Sequence, residues 1–331
     1  MPLRHPKVPR HPAGAEALSF WEGLDVSAPV PEHPLHWGAE DLWEQLEPLL
    51  PGLSVEVVAQ CASTSTALLE RARVASEPES AQGTALVRRS VESGAFGRRA
   101  ADVQPCLLVA EHQTGGRGRQ GRVWQSAPGA SLTFSLALPL AMADWSGLSL
   151  AVGVALANAI DPVTPQSRAR IGLKWPNDLW LVDEAWPGAA GRKLGGILVE
   201  TVAAGTQRLA VIGIGLNVLP LNTTDASTGF ACLQEIDPDA SAPATLARLA
   251  LPLVQALKLF EREGFSAFAA AFAARDVLLN CPVRTTQADV PEGVAQGVSA
   301  QGALLVRTAQ GLQSVSSGEV SVRLNPAEAA C

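Results

Sequence analysis

An arginine–glycine run joining two apolar stretches is the feature that most limits what this chain can fold into. Residues 104–111 (QPCLLVAE) read as a buried strand, and residues 131–139 (SLTFSLALP) alternate like a second one. Between them Gly116, Arg117, Gly118, Arg119, Gln120, Gly121 and Arg122 lead to Trp124. Glycine lets the backbone reach positive φ and approach a ligand closely. Each guanidinium offers a rigid fork of donors to phosphate or carboxylate. The run also spells GxGxxG, but that dinucleotide fingerprint needs a helix directly after it, and here a strand follows. A Rossmann fold is therefore rejected. A single copy inside a folded pattern also argues against a disordered RGG segment for nucleic acid. Taken alone, the run is either a polar hairpin loop or a loop that folds around a small phosphorylated or carboxylated ligand.

The rest of the chain fits a layered α+β catalytic domain followed by a small β domain. At 331 residues, length alone suggests about two domains. Residues 1–36 are rich in Pro and His and read as an extended or disordered arm. A short amphipathic helix is expected over 37–50, a strand over 54–60, and a helix after Ser63, Thr64, Ser65 and Thr66, with a hydroxyl residue as its N-cap. Residues 76–104 are polar and poorly patterned, as in a mobile insertion. An apolar helix over 146–160 follows. Then come IGLKWPNDLWLV, GRKLGGILVETV and RLAVIGIGLNV, three strand-like segments, and helices over 241–279. From Cys281 onward short strands alternate with glycine turns, suggesting a small β-barrel. The expected boundaries are 1–36 for the arm, 37–279 for the catalytic domain and 280–325 for the small domain.

Composition narrows the function. The formal net charge of −7 opposes broad electrostatic binding to nucleic acid. Cys61, Cys106, Cys232, Cys281 and Cys331 are widely spaced without a CxxC pair, so neither a disulfide frame nor a zinc site is expected. Arg4, Lys7 and Arg10 are not followed by an apolar stretch, so no secretory signal is expected, and no run is long enough to span a membrane. A cytoplasmic location follows as an expectation. Only four lysines occur, Lys7, Lys174, Lys193 and Lys258, against a background of arginine. Two of them sit in motifs, where an ammonium point charge differs from a planar fork.

Lys174, Trp175, Pro176, Asn177 and Asp178 join a strand to its continuation. Lys174 beside Asp178 is either a plain ion pair or a site where the lysine meets an anion and the carboxylate positions a metal or another ligand group. Magnesium on nucleotide phosphates is usually held by one or two carboxylates plus the phosphates. Lys193 begins an apolar strand that contains Gly195 and Gly196, and glycine in a strand often marks close approach of another group. Gly213 and Gly215 fall on one face of the next strand and leave a bare backbone that suits a flat ligand.

Together these motifs resemble the biotin protein ligases. The family pattern is a Ser-Thr turn usually completed by Asn, a Gln-x-x-Gly-Arg-Gly-Arg-x-Gly-Arg-x-Trp loop, Lys-Trp-Pro-Asn-Asp, Lys-Leu-small-Gly-Ile-Leu-Val-Glu and Gly-Ile-Gly-x-Asn. All five occur here in that order, from Ser63 to Asn217. The resemblance implies a class II synthetase-like mixed sheet flanked by helices, with a C-terminal SH3-like barrel. It implies activation of biotin by ATP to biotinyl-5′-AMP, with Mg2+ on the nucleotide and no tightly bound prosthetic group, then transfer to a lysine of a biotin carboxyl carrier domain. Lys193, Arg119, Arg117 and Asp178 would be the catalytic groups, with Asp178 also the candidate magnesium ligand. Ser63, Thr64, Gln113, Gly116, Arg117, Lys193, Gly195, Gly196, Gly213 and Gly215 would hold biotin. Arg119, Arg122, Trp124, Lys174, Asn177, Asn217, Glu319 and Arg323 would meet ATP.

Three departures stand out. Ser65 replaces the family Asn, residues 184–191 lengthen a turn, and residues 1–36 are too short and proline-rich for the winged helix-turn-helix of bifunctional members. A monofunctional ligase is therefore expected, without DNA or membrane partners and compatible with a homodimer. Rival readings are a lipoate protein ligase of the same fold, a biotin-responsive DNA-binding regulator, and a binding protein that has lost catalysis.

Overall fold

A computed structural model describes residues 35–74, 95–96, 104–142, 144–163, 169–182, 191–204, 207–221, 229–316 and 322–324. Nearly all of the N-terminal arm, most of the 76–104 insertion, the 184–191 lengthening (apart from Gly191) and Glu319 lie outside the described residues.

The described residues open with helix α1 (Ala39–Leu46), strand β1 (Ser54–Cys61) and helix α2 (Thr64–Val74). Edge strand β2 (Ala95–Phe96) then pairs antiparallel to β1, in a stretch where the sequence suggests only an insertion. Strand β3 (Cys106–Gln113) lies parallel to β1, the one parallel pair among the described strands of the sheet. The short hairpin β4 (Gly116–Arg117) and β5 (Val123–Trp124) leads into β6 (Ser131–Pro139) and helix α3 (Leu148–Ile160). Strands β7 (Ile171–Lys174), β8 (Asp178–Leu181), β9 (Arg192–Ala204) and β10 (Gln207–Asn217) complete an eight-stranded mixed sheet of order β2-β1-β3-β6-β10-β9-β8-β7. Helices α4 (Ala242–Glu263) and α5 (Ala269–Ala273) follow.

Alternation along the strands sorts side chains between two layers. In β3, Leu107 and Val109 face the large core under α1, α3 and α4, while Cys106 and Leu108 face Leu68, Leu69 and Ala72 of α2. In β10, Leu209 and Val211 likewise face α2, and the next two places in that row are Gly213 and Gly215. Side chains therefore stop where α2 begins. The sheet keeps a bare strip there, as the glycine spacing suggests.

One segment differs from the sequence expectation. Residues 171–182 are not one strand and its continuation but a hairpin, β7 against β8, with Lys174 directly opposite Asp178. The turn between them carries the cis Trp175–Pro176 peptide. Reversal puts the lysine and the carboxylate at one end of the sheet.

The C-terminal strands β11 (Pro282–Thr285), β12 (Glu292–Val298), β13 (Leu304–Thr308), β14 (Gly311–Val315) and β15 (Val322–Leu324) form a separate antiparallel sheet of order β14-β13-β12-β11-β15. It docks on the β7–β8 turn, where the Trp175 indole donates to the Gly302 carbonyl at 3.0 Å and Lys174 Nζ to the Val322 carbonyl at 2.9 Å. The expected fold class is thus observed: a mixed sheet flanked by helices, with a small all-β unit after it. Cys61, Cys106 and Cys232 are free thiols, whereas Cys281 is disulfide-bonded, against the expectation of no disulfide. Among the described residues no helix is long and apolar enough to cross a membrane.

Candidate active site

One end of the glycine strip holds a compact hydroxyl and amide cluster. Ser63 caps α2: its carbonyl accepts from Ala67 N–H, and its Oγ from Thr66 N–H at 3.3 Å. The cap turns Thr64 and Ser65 toward the sheet. Gln113 Oε1 accepts from Thr64 N–H at 2.7 Å and from the Thr64 hydroxyl at 3.2 Å. Ser135 Oγ lies 2.7 Å from Thr64 Oγ1 and 3.0 Å from Ser65 Oγ. A Cβ at Gly213 would overlap Ser65 Oγ, so the hydroxyls sit directly on the bare backbone. Ser135 is wholly buried in an apolar strand, and it is the residue that sequence reasoning missed here. A hydroxyl at an inward-facing strand position was the available signal, since a buried polar group needs partners.

The Gly-Arg loop crosses the strip as a hairpin. Gly116 pairs with Trp124 and Arg117 with Val123, and a Cβ at Gly116 would strike the Trp124 carbonyl. The indole of Trp124 lies on Gly215, where a Cβ would overlap the ring, and its Nε1 is buried without a partner among the described residues. Lys193 Nζ stands 5.8 Å from the ring centroid, within cation–π range.

The other end of the strip is charged. Leu179 pairs with Gly195 but Trp180 with Lys193, a one-residue bulge in β9. Bulges re-aim side chains, and this one brings Lys193 Nζ to 2.8 Å from Asp178 Oδ1, above Gly196. Arg119 donates to Asn177 Oδ1 at 3.4 Å, and its pKa is lowered mainly by burial and raised by Asp178. Asn177 is itself fixed by donating to the Ile197 carbonyl at 2.7 Å. Lys174 is buried, with its pKa lowered to about 8 chiefly by desolvation; Asp178 opposes this, while Lys193, Arg122 and Arg323 add to it. Sheet spacing of ~4.8 Å between strands and ~3.3 Å along them puts Asp178 about 12 Å from Gly213.

Not every expected residue joins this constellation. Arg117 does not reach the charged end: its guanidinium donates to Thr66 Oγ1 at 3.2 Å and to Glu200 Oε1 at 2.9 Å. Asn217 uses its amide on the Ala231 carbonyl at 2.9 Å and the Lys193 carbonyl at 3.3 Å, so it braces the β9 end. Ser63 works as the cap, and Gly195 admits Leu216 and the Gly215 carbonyl. Arg122 and Arg323 are exposed near Lys174. Asp178 Oδ1 is paired with Lys193. Among the described residues no cluster of three His, Cys, Asp or Glu could hold an ion.

Sequence families match both parts of this architecture. Residues 100–217 fit the Biotin/lipoate A/B protein ligase family, and residues 279–323 fit the Biotin protein ligase C terminal domain. The biotin--[acetyl-CoA-carboxylase] ligase of Mycobacterium tuberculosis is 31% identical over 298 residues, covering 86% of this chain and 91% of that protein. The chain belongs to the biotin protein ligase family. Within that family, the Bifunctional ligase/repressor BirA of Salmonella typhimurium is 35% identical over 221 residues, but only 65% of this chain and 66% of that protein align. The biotin protein ligase of Aquifex aeolicus, solved with biotin and ATP, superposes with a TM-score of 0.61 at 24% identity over 82% of this chain and 99% of that one, a likeness of fold.

Proposed function

We propose that the chain joins biotin to ATP as biotinyl-5′-AMP and transfers the biotinyl group to a lysine of a biotin carboxyl carrier domain. The observation that carries this reading is the polarity of the glycine strip. A ureido-sized hydrogen-bonding cluster (Thr64, Ser65, Gln113, Ser135) stands at one end, and Lys193 with Asp178, Arg119 and Lys174 at the other. A bicyclic ring with an acid arm spans that distance and delivers its carboxylate to Lys193.

The first step brings two anions together. A carboxylate oxygen of biotin attacks the α-phosphorus of ATP, and the bond to pyrophosphate breaks. Lys193 is placed to bridge the carboxylate and α-phosphate and stabilise the charge that builds between them. Arg119, Lys174, Asn177, Arg122 and Arg323 take the nucleotide side. In the second step an acceptor lysine amine attacks the acyl carbon, the acyl–oxygen bond breaks and AMP leaves. Asp178, released from Lys193 by the incoming anions, is placed to take the amine proton. The loop under Arg117 and Trp124 keeps water from the mixed anhydride. Magnesium would come with ATP, held mainly by the phosphates, and Asp178 is the carboxylate beside them.

Pyrophosphate release with ATP and magnesium, comparing biotin, lipoate and octanoate, tests the reading. Release that depends on biotin, followed by labelling of an added carrier domain, is expected. Release with lipoate instead would overturn the substrate. No release with any acid would overturn the activity.

A further inference from the structure

The residue that holds Arg117 has no role in the reaction as derived so far. Glu200 lies on the site face of β9, opposite Val211 and seven residues from Lys193. At ~3.3 Å per residue, that puts it roughly 20 Å from the reacting end. One carboxylate oxygen accepts from a single guanidinium nitrogen of Arg117 at 2.9 Å; the other is buried with no partner among the described residues. Arg117 also donates to Thr66 in the first turn of α2, beside the hydroxyl cluster. The guanidinium therefore ties three elements together: the loop hairpin, α2 and β9.

We infer that Glu200 is a positioning residue that latches the Gly-Arg loop over the ring end of the biotin strip by holding Arg117. The register of the hairpin carries the effect forward. Fixing Arg117 fixes Gly116, Gly116 pairs with Trp124, and the Trp124 indole lies on Gly215 under Lys193. A latch at the far end thus sets the lid at the reacting end without touching reacting atoms. Because Glu200 Oε2 has no partner among the described residues, removing Arg117 leaves a carboxylate half-buried and uncompensated. Opening therefore requires water to enter at Glu200. The pair is part-exposed, with side-chain accessibilities of 45% and 25%, so it acts through orientation more than through global stability. The kinetic part of this inference rests on the proposed ligase activity; the structural part does not.

The test uses the full chain with Glu200→Gln, Arg117→Ala and the double variant. The first readout needs no substrate: tryptic cleavage after Arg119 and Arg122, mapped by mass, with circular dichroism and Tm as controls of folding. The latch predicts cleavage faster by about fivefold in either single variant at unchanged Tm, and no further rise in the double variant. The second readout is kinetic. In Glu200→Gln, KM for biotin and leakage of free adenylate should rise by a similar factor, while the single-turnover rate of pyrophosphate release stays within about twofold. The charge-reversed pair Arg117→Glu with Glu200→Arg should recover part of both effects. Unchanged loop cleavage in Glu200→Gln, or single-variant effects that add in the double variant, would overturn the latch. Altered cleavage in a chain whose wild type releases no pyrophosphate would keep the latch and overturn the ligase reading instead.

Discussion

Lys193 owes its position to a bulge, and its charge balance to one partner. Asp178 sits 2.8 Å from its ammonium, and the Trp124 ring centroid lies 5.8 Å away. Replacing it by alanine removes the positive group between the two anions and leaves Asp178 facing them. Lys193→Ala should lower kcat for biotin-dependent pyrophosphate release by at least about a hundredfold, as expected for a charge aimed at the transition state, while the Kd for biotin changes far less. Isothermal titration beside a pyrophosphate assay separates the two; loss of binding without loss of kcat would refute the role. Lys174 permits a pH test. Its folded pKa of about 8 lies below its ordinary value of 10.5. Between those values the unfolded chain holds a proton that the folded chain has released, so raising pH through this window favours the folded state. Below pH 8 both states are protonated and the burial penalty is full. Wild type should gain stability relative to Lys174→Met from about pH 8 to pH 10, read by urea unfolding at several pH values. These residues were legible in the sequence because lysine is rare in it and falls inside motifs. Ser135 showed only as a hydroxyl at an inward-facing strand position, and Glu200 only as the end of the Lys-Leu-Gly-Gly-Ile-Leu-Val-Glu motif, with nothing to say what either side chain meets. Arg117 was legible as a functional arginine, but no motif says which carboxylate a guanidinium will turn to.

At the scale of elements, the site depends on where side chains stop. The β10 row Leu209, Val211, Gly213, Gly215 packs α2 with its first half and leaves the second half bare. The alternation and the glycine spacing made that strip readable without coordinates. The hairpin at 175–177 was not readable, because two short apolar strands around one turn have the same pattern as one strand with a break. Nor was the edge strand Ala95–Phe96, whose two residues are too few to show a period. The strip invites a steric test. A methyl group at Gly215 would overlap the Trp124 ring, so the indole and the hairpin must lift. Gly215→Ala should weaken biotin binding at least about tenfold, given ~1.4 kcal/mol per decade, and shift tryptophan fluorescence, while far-UV circular dichroism stays unchanged. Wild-type affinity with an unshifted spectrum would mean the loop does not close on this strip.

At the scale of the molecule, the C-terminal sheet is coupled to the reacting end through the β7–β8 turn. Trp175 and Lys174 are consecutive, and each donates to a carbonyl of the small sheet or its loops, at Gly302 and Val322. Arg323, beside Val322, adds positive charge to the field at Lys174. Repositioning the small sheet would therefore move a buried lysine and a nucleotide-side arginine together, while the hydroxyl cluster, on α2, β3 and β6, lies on other elements. Gly302 is the place to test this. Its φ of +78° disfavours any side chain, and a Cβ there would come within 2.8 Å of Gly147 Cα at the start of α3. Gly302→Ala must push the two units apart or strain the turn, at a stability cost of roughly 1–2 kcal/mol. Biotin affinity should stay within about twofold, because nothing that holds the ring moves, whereas KM for ATP should rise by at least about fivefold. Parallel titrations with biotin and ATP on the purified variant decide it. Equal weakening of both ligands would mean that the substitution disturbs the whole sheet and that the small unit has no separate hold on the nucleotide.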